Sequence, residues 1–133
     1  MCFGTFDLLH LGHLHYLSQA KKYGNNLIVV IARDKTKQQQ KKPILFNEKE
    51  RLKLIQSLKI VDKAVLGNNT NHFKIILKYK PDIICLGYDH KITPTALQKA
   101  LSRYNLHPQI ERISSYNHKT QKSTKLKEKI LKL

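Results

Sequence analysis

Two unbroken apolar runs constrain this chain more than any other feature. Leu27-Ile28-Val29-Val30-Ile31-Ala32 and Ile83-Ile84-Cys85-Leu86 carry no polar residue at either alternate set of positions. A strand that is apolar on both sides needs cover on both sides, which is the condition of a parallel sheet held between two layers of helices. The stretches around these runs have helical period. Leu14 and Leu17 extend a stripe begun by His10 and His13, and Leu52, Ile55 and Leu58 form another behind Asn47 and Glu50. Residues 72–79 supply a third helix. Leu97, Ala100, Leu101 and Tyr104 follow the helix start Thr93-Pro94. A short lead through Cys2-Phe3 into Gly4, residues 60–66 and residues 107–113 supply further strands. The alternation predicts an α/β fold, a single Rossmann-like three-layer domain over residues 1–133 with a mostly parallel five-stranded sheet. Residues 35–42 read as a polar loop. Ser123 or Thr124 reads as the cap of a last helix with Leu126, Ile130 and Leu133 along one side.

A chain of 133 residues can bury one sizeable core. Its 25 Lys and Arg against 9 Asp and Glu give a formal charge of +16, which implies polyanionic company or a solvated basic surface. Cys2 and Cys85 are the only cysteines and cannot alone furnish a tetrahedral zinc site, so they read as buried thiols in a reducing cytoplasm. No apolar run reaches the ~18 residues of a membrane span, and the opening residues do not read as a signal peptide.

In parallel sheets ligands bind beyond the carboxyl ends of the strands. Residues 4–13, 33–42, 87–90 and 113–123 leave those ends and hold most of the side chains capable of chemistry. His10 and His13 stand three apart at the start of a helix, with Gly12 between them. That position suits an anion such as phosphate, because free N–H groups and the positive end of the helix dipole meet there. Lys41, Lys42, Arg51 and Arg112 offer cations to neutralise a polyphosphate. The chain lacks G-x-G-x-x-G after the first strand, G-x-x-x-x-G-K-[ST] and G-x-S-x-G, which disfavours an ordinary dinucleotide site, a P-loop enzyme and a hydrolase elbow.

The run Gly4-Thr5-Phe6-Asp7-Leu8-Leu9-His10-Leu11-Gly12-His13 resembles the signature of the nucleotidyltransferase superfamily with the H-x-G-H motif. That superfamily includes cytidylyltransferases, phosphopantetheine adenylyltransferase and archaeal FAD synthetases. The likeness continues through Asn47-Glu48-Lys49-Glu50-Arg51, Val61-Asp62-Lys63-Ala64-Val65, Lys80-Pro81-Asp82-Ile83-Ile84 and Leu86-Gly87 with Asp89, so it covers nearly the whole chain. It implies transfer of a nucleoside monophosphate from ATP or CTP to a phosphorylated acceptor, with Mg2+ or another divalent cation accompanying the nucleotide. The implied catalytic residues are His10, His13 and Lys42. The implied nucleotide contacts are Thr5, Phe6, His10, Gly12, His13, Asp89, Arg112, Tyr116, Ser123 and Thr124. Asp7, Lys41, Lys42 and Arg51 are the implied phosphate or acceptor contacts, with no metal held by protein ligands alone. A homodimer is also implied.

The acceptor turns on the stretch between Arg112 and Ser123. Glycerol-3-phosphate cytidylyltransferases, similar in length and opening motif, carry a compact Arg-Thr-x-Gly-Ile-Ser-Thr-Thr there. The longer connection of this chain, with Tyr116 inside it, is similar to archaeal FAD synthetases. So are Ala32-Arg33-Asp34, Lys42-Pro43-Ile44, Val65-Leu66-Gly67 and Tyr104-Asn105-Leu106 followed by Pro108. One departure is that no cysteine follows Cys85, so no role of a late cysteine carries over. The favoured expectation is adenylyl transfer from ATP to FMN, and the alternative is cytidylyl transfer to glycerol 3-phosphate. A basic nucleic-acid-binding module is the non-enzymatic rival, disfavoured by the lack of a reading motif and the scarcity of stacking aromatics.

Overall fold

The computed structural model describes residues 1–117 and 122–133. Elements follow in the order β1 (Cys2–Gly4), α1 (Leu11–Lys21), β2 (Ile28–Ile31), α2 (Asp34–Gln39), α3 (Glu48–Gln56), β3 (Lys63–Leu66), α4 (Phe73–Tyr79), β4 (Ile83–Leu86), α5 (Pro94–Ser102), β5 (Gln109–Arg112) and α6 (Ser123–Leu131). The five strands form one all-parallel sheet in the order β3-β2-β1-β4-β5. Register places Cys2 beside both Val29 and Cys85, Ile31 beside Leu66, and Leu86 beside Arg112.

The double-sided burial expected of β2 is met residue by residue. Val29 and Ile31 pack with Leu17 and Ala20 of α1 and Ile55 of α3, while Val30 packs on the opposite face with Ile75 and Ile76 of α4 and Leu97 and Leu101 of α5. Two apolar layers flank the sheet, so the architecture is three-layered. The chain moves outward from β1 through β2 to β3, then returns to lay β4 on the other side of β1. That reversal opens a crevice at the carboxyl ends of β1 and its two neighbours.

Local chemistry sets the helix starts. Asn47 accepts from the Glu50 amide at 2.9 Å and Glu50 accepts from the Asn47 amide at 2.9 Å, a reciprocal cap on α3. Thr93 caps α5 through the Ala96 amide at 3.1 Å, with Pro94 in the first turn. At the other end of α4, Lys80 adopts φ +44 and donates its amide to the Ile76 carbonyl at 2.8 Å. A side chain in the left-handed region costs roughly 1–2 kcal/mol relative to glycine. Lys80→Gly is therefore expected to raise stability by roughly 0.5–1 kcal/mol in urea unfolding, net of the extra backbone freedom it gives the unfolded chain.

Four expectations change. Residues 35–42 are not a loop throughout, because Asp34–Gln39 is helical. Its polar sequence hides the helix, since only Thr36 is buried while Glu48 accepts the Asp34 amide at 3.3 Å and Asp34 accepts the Glu48 amide at 3.1 Å. The third strand starts at Lys63, because the Val61 amide turns back to the Leu58 carbonyl and Asp62 accepts the Leu27 amide at 2.6 Å. Tyr104 lies exposed with its ring 6.0 Å from that of Phe73 instead of facing inward. Lys122 occupies the N-cap of α6 without a side-chain cap, and Ser123 instead donates to the Leu8 carbonyl at 3.2 Å. Along α6, Leu126 is half-buried whereas Ile130 and Leu133 are exposed. No helix among the described residues is long and apolar enough to cross a membrane.

Candidate active site

The crevice is built first from the end of β1. Phe6 sits in the left-handed region at φ +53 and is buried, with its ring 5.3 Å from that of His13. The ring lies back over Gly4, where a Cβ would stand only 2.6 Å from Phe6 Cε2. Glycine is thus required at position 4 so that Phe6 can support the histidine. Asp7 follows and is buried; its carboxylate accepts the amides of Leu45 and Phe46 at 2.8 Å each and the Lys127 ammonium. Burial raises its pKa, but Lys127 and the two amides outweigh burial and hold the carboxyl below the usual range.

His10 is the N-cap of α1. Its Nδ1 accepts the Gly12 amide at 3.0 Å, while His13 Nδ1 accepts the His10 amide at 3.3 Å. The two imidazoles therefore cap the helix reciprocally, as a serine and glutamate ordinarily would. Their rings stack 3.8 Å apart at 29°. Occupying both Nδ1 lone pairs fixes the neutral tautomers and leaves Nε2–H as the free donor on each ring. Burial lowers both pKa values, that of His13 down to about 3 with His10 adding to the effect and Asp7 opposing it; Asp89 opposes it at His10. At neutral pH the pair is two uncharged N–H donors beside a helix N-terminus, a preorganised receptor for negative charge developing on phosphate oxygens.

The walls come from the ends of β2 and β4. Helix α2 closes with Lys41 at φ +53, the Lys41 amide on Gln38 O at 3.0 Å and the Lys42 amide on Lys37 O at 3.0 Å. This is a Schellman turn, and it sets Lys37 and Lys42 at one corner. Opposite, His90 Nδ1 accepts the Gly87 amide at 3.0 Å, again leaving Nε2–H as the donor. Burial lowers its pKa, with Asp89 opposing. Arg112 clamps the same loop by donating to the carbonyls of Gly87, His90 and Ile92 at 2.7, 2.8 and 2.7 Å. Beneath α2, Arg51 is 0% exposed. Its guanidinium donates to the carbonyls of Phe46, Thr5 and Ala32 at 3.0, 2.8 and 2.8 Å and to Asp34 at 2.7 Å.

The cytidylyltransferase-like family model matches residues 1–129. This chain belongs to the cytidylyltransferase-like family. It is similar to FAD synthase of Thermoplasma volcanium, 44% identical over 133 residues that make up 100% of this chain and 94% of that protein. It is likewise similar to FAD synthase of Methanobrevibacter smithii, 44% identical over 138 residues, with coverage of 100% and 90%. Among solved structures, the lipopolysaccharide core biosynthesis protein from Thermoplasma volcanium superposes with a TM-score of 0.86 at 46% identity, covering 88% of this chain and 96% of that one.

Within this cytidylyltransferase-like frame the expected residues separate into two groups. Thr5, Phe6, His10, Gly12, His13, Lys41, Lys42 and Asp89 lie on the segments that leave the ends of β1, β2 and β4. Arg51 and Asp7 are turned to the protein and not to a phosphate, which corrects the expectation for both: one is fully buried and gives four of its five N–H donors to protein acceptors, the other accepts two amides and an ammonium. Arg112 gives three of its five N–H donors to carbonyls of the 87–92 loop. Tyr116 stacks on His15 with ring centroids 5.5 Å apart. Ser123 and exposed Thr124 open α6, and residues 118–121 of the long connection lie outside the described residues. Sequence reasoning gave no role to His90, Lys37 or His15. His90 stood in a segment already marked as leaving a strand end. Lys37 was hidden in a run of cations, and nothing in the sequence singles it out.

Among the described residues no group of three or more His, Cys, Asp or Glu is placed to hold a metal ion. Asp7, the carboxylate nearest the histidines in sequence, is fully engaged by protein donors. The side chains here do not fit a resident metal.

Proposed function

We propose that this chain is an FAD synthase, transferring AMP from ATP to FMN with release of pyrophosphate. The observation that carries the reading is 44% identity across this chain and 94% of an archaeal FAD synthase, on a chain that carries paired histidines after β1. An oxygen of the FMN phosphate forms a bond to the α-phosphorus of ATP, and the bond from that phosphorus to the bridging oxygen of pyrophosphate breaks. The attacking group is already an anion, so no proton need be removed from it. The protein's work is positioning and charge stabilisation.

His10 and His13 donate from Nε2 to the α-phosphate oxygens, and Lys42 neutralises charge moving onto the leaving group. Lys41 stands beside it for the acceptor phosphate. Thr5, Phe6 and Gly12 offer a close backbone surface, and Asp89, Tyr116, Ser123 and Thr124 border the nucleoside. Arg112 acts by holding the loop that carries Asp89. Asp7 and Arg51 act by fixing the segments around them. Mg2+ or another divalent cation enters as part of the ATP complex. The enzyme works in the cytoplasm as a homodimer.

The reading is tested by pyrophosphate release with ATP or CTP against FMN, glycerol 3-phosphate and phosphopantetheine. Release with ATP and FMN alone is expected. Turnover confined to CTP and glycerol 3-phosphate would overturn the acceptor and the base together, and nucleic-acid binding without turnover would overturn the enzyme.

A further inference from the structure

Helix α6 gives an inward position to a charge. Ser123, Leu126 and Lys127 stand at i, i+3 and i+4 and are its half-buried residues, while Ile130 and Leu131, a turn further along, are exposed. A stripe of that period ordinarily carries apolar side chains, yet here it ends in a lysine. The Lys127 ammonium meets the buried Asp7 carboxylate and the Pro43 carbonyl, the latter at 3.4 Å. The same carboxylate accepts the amides of Leu45 and Phe46 at 2.8 Å each. One turn earlier, Ser123 donates to the Leu8 carbonyl at 3.2 Å. Two segments therefore meet at the first turns of α6. Residues 7–8 run into the His10 cap of α1, and residues 43–46 follow Lys41 and Lys42. Arg51 ties neighbouring points of the same two stretches from within, through Thr5 and Phe46.

We propose that Lys127 is a positioning residue for nucleotidyl transfer, clasping the loop that leads to His10 against the segment that follows the lysine pair. Without it Asp7 keeps its two amides but loses the cation bonded to its carboxylate. A buried carboxylate left without its cation is costly, so the loop shifts to bring it toward water. Asp7 lies three residues before His10, whose ring caps α1 through the Gly12 amide at 3.0 Å. Movement at Asp7 thus reaches the histidine pair along a short stretch of backbone. A displacement of about 1 Å at a group that must meet a reacting phosphate costs up to ~10²-fold in rate. Lys127 acts through that loop, so its loss falls on turnover more than on nucleotide affinity. The inference rests on the nucleotidyl-transfer reading above and not on the choice of FMN.

The test compares variants of the full chain in two measurements. In amide hydrogen exchange, Lys127→Met should speed exchange at Leu45 and Phe46 by roughly tenfold, and Lys127→Arg should restore the slow rate. Lys125→Met, which removes an exposed cation of the same helix paired with Glu128, should change nothing. In pyrophosphate release with ATP and FMN, Lys127→Met should lower kcat by roughly ten- to a hundredfold while the KM for ATP stays within about twofold. Lys127→Arg should recover most of the loss, and Lys125→Met should match the unaltered chain. In a His10→Ala background Lys127→Met should cost far less, because its effect passes through that cap. Unchanged exchange at Leu45 and Phe46, faster exchange with kcat unaltered, full additivity with His10→Ala, or an equal loss in Lys125→Met would each overturn the assignment. If glycerol 3-phosphate or phosphopantetheine supports release and FMN does not, the acceptor falls and the same comparison with that acceptor decides Lys127. Absence of release with every acceptor would overturn both readings.

Discussion

Arg51→Met is expected to cost about 3–5 kcal/mol of folding stability. The guanidinium is completely buried and ties together four segments, through the carbonyls of Thr5 after β1, Ala32 after β2 and Phe46 before α3, and through Asp34 of α2. Methionine fills much of the same space but donates nothing. Three carbonyls and a carboxylate would lose their partner, and each unsatisfied buried group carries a penalty of roughly 1–3 kcal/mol. Lysine is a poor substitute, since a single ammonium cannot span acceptors on both sides of a planar fork. A domain of this size has only about 5–15 kcal/mol in total. The urea midpoint of Arg51→Met should therefore fall steeply, and that of Arg51→Lys by less. A change below about 1 kcal/mol would mean that the network does not hold these four segments together.

His10→Ala and His13→Ala are each expected to lower kcat by roughly 10²–10³, the cost of removing one preorganised donor. Both variants should keep the fold, because the rings lie at the crevice and outside the two apolar clusters. The effect on stability has a definite sign. The folded-state pKa of His13 is down at about 3, against an ordinary value near 6.5. Between those values the unfolded chain binds more protons than the folded one, so stability is fully present above about pH 6.5 and drains as pH falls toward 3. The slope is at most about 1.4 kcal/mol per pH unit for one histidine. His10 and His90, whose pKa values are also lowered by burial, add to the loss in the same direction. Removing His13 should flatten this acid limb in pH-dependent urea unfolding. A His13→Ala protein with an unchanged limb would contradict the neutral, buried assignment.

The sheet was legible because β2 and β4 are apolar on both faces and alternate with helical stretches, a combination that an interior parallel strand satisfies. The helix starts at Asn47 and Thr93 were legible because side-chain caps obey short-range rules. What escaped the sequence depended on long-range partners. Helix α2 is polar, and its amide terminus is satisfied by Glu48 from the next helix, a contact no local window contains. Arg51 looks like a phosphate ligand until three carbonyls from separate segments are seen to converge on it. Asp7 is similar, engaged by amides some forty residues away and by Lys127 in α6. His10 and His13 were identified from spacing, but their mutual capping, and hence the Nε2–H donors, follows from backbone angles that composition does not encode.

Whether the histidine-capped crevice joins AMP to FMN is decided by following the α-phosphate. ATP labelled at the α-phosphorus, incubated with FMN and this protein, should deliver its label into FAD and release unlabelled pyrophosphate. His10→Ala should abolish most of that transfer. Label remaining in ATP while CTP labelled at the same phosphorus passes to glycerol 3-phosphate would contradict the account.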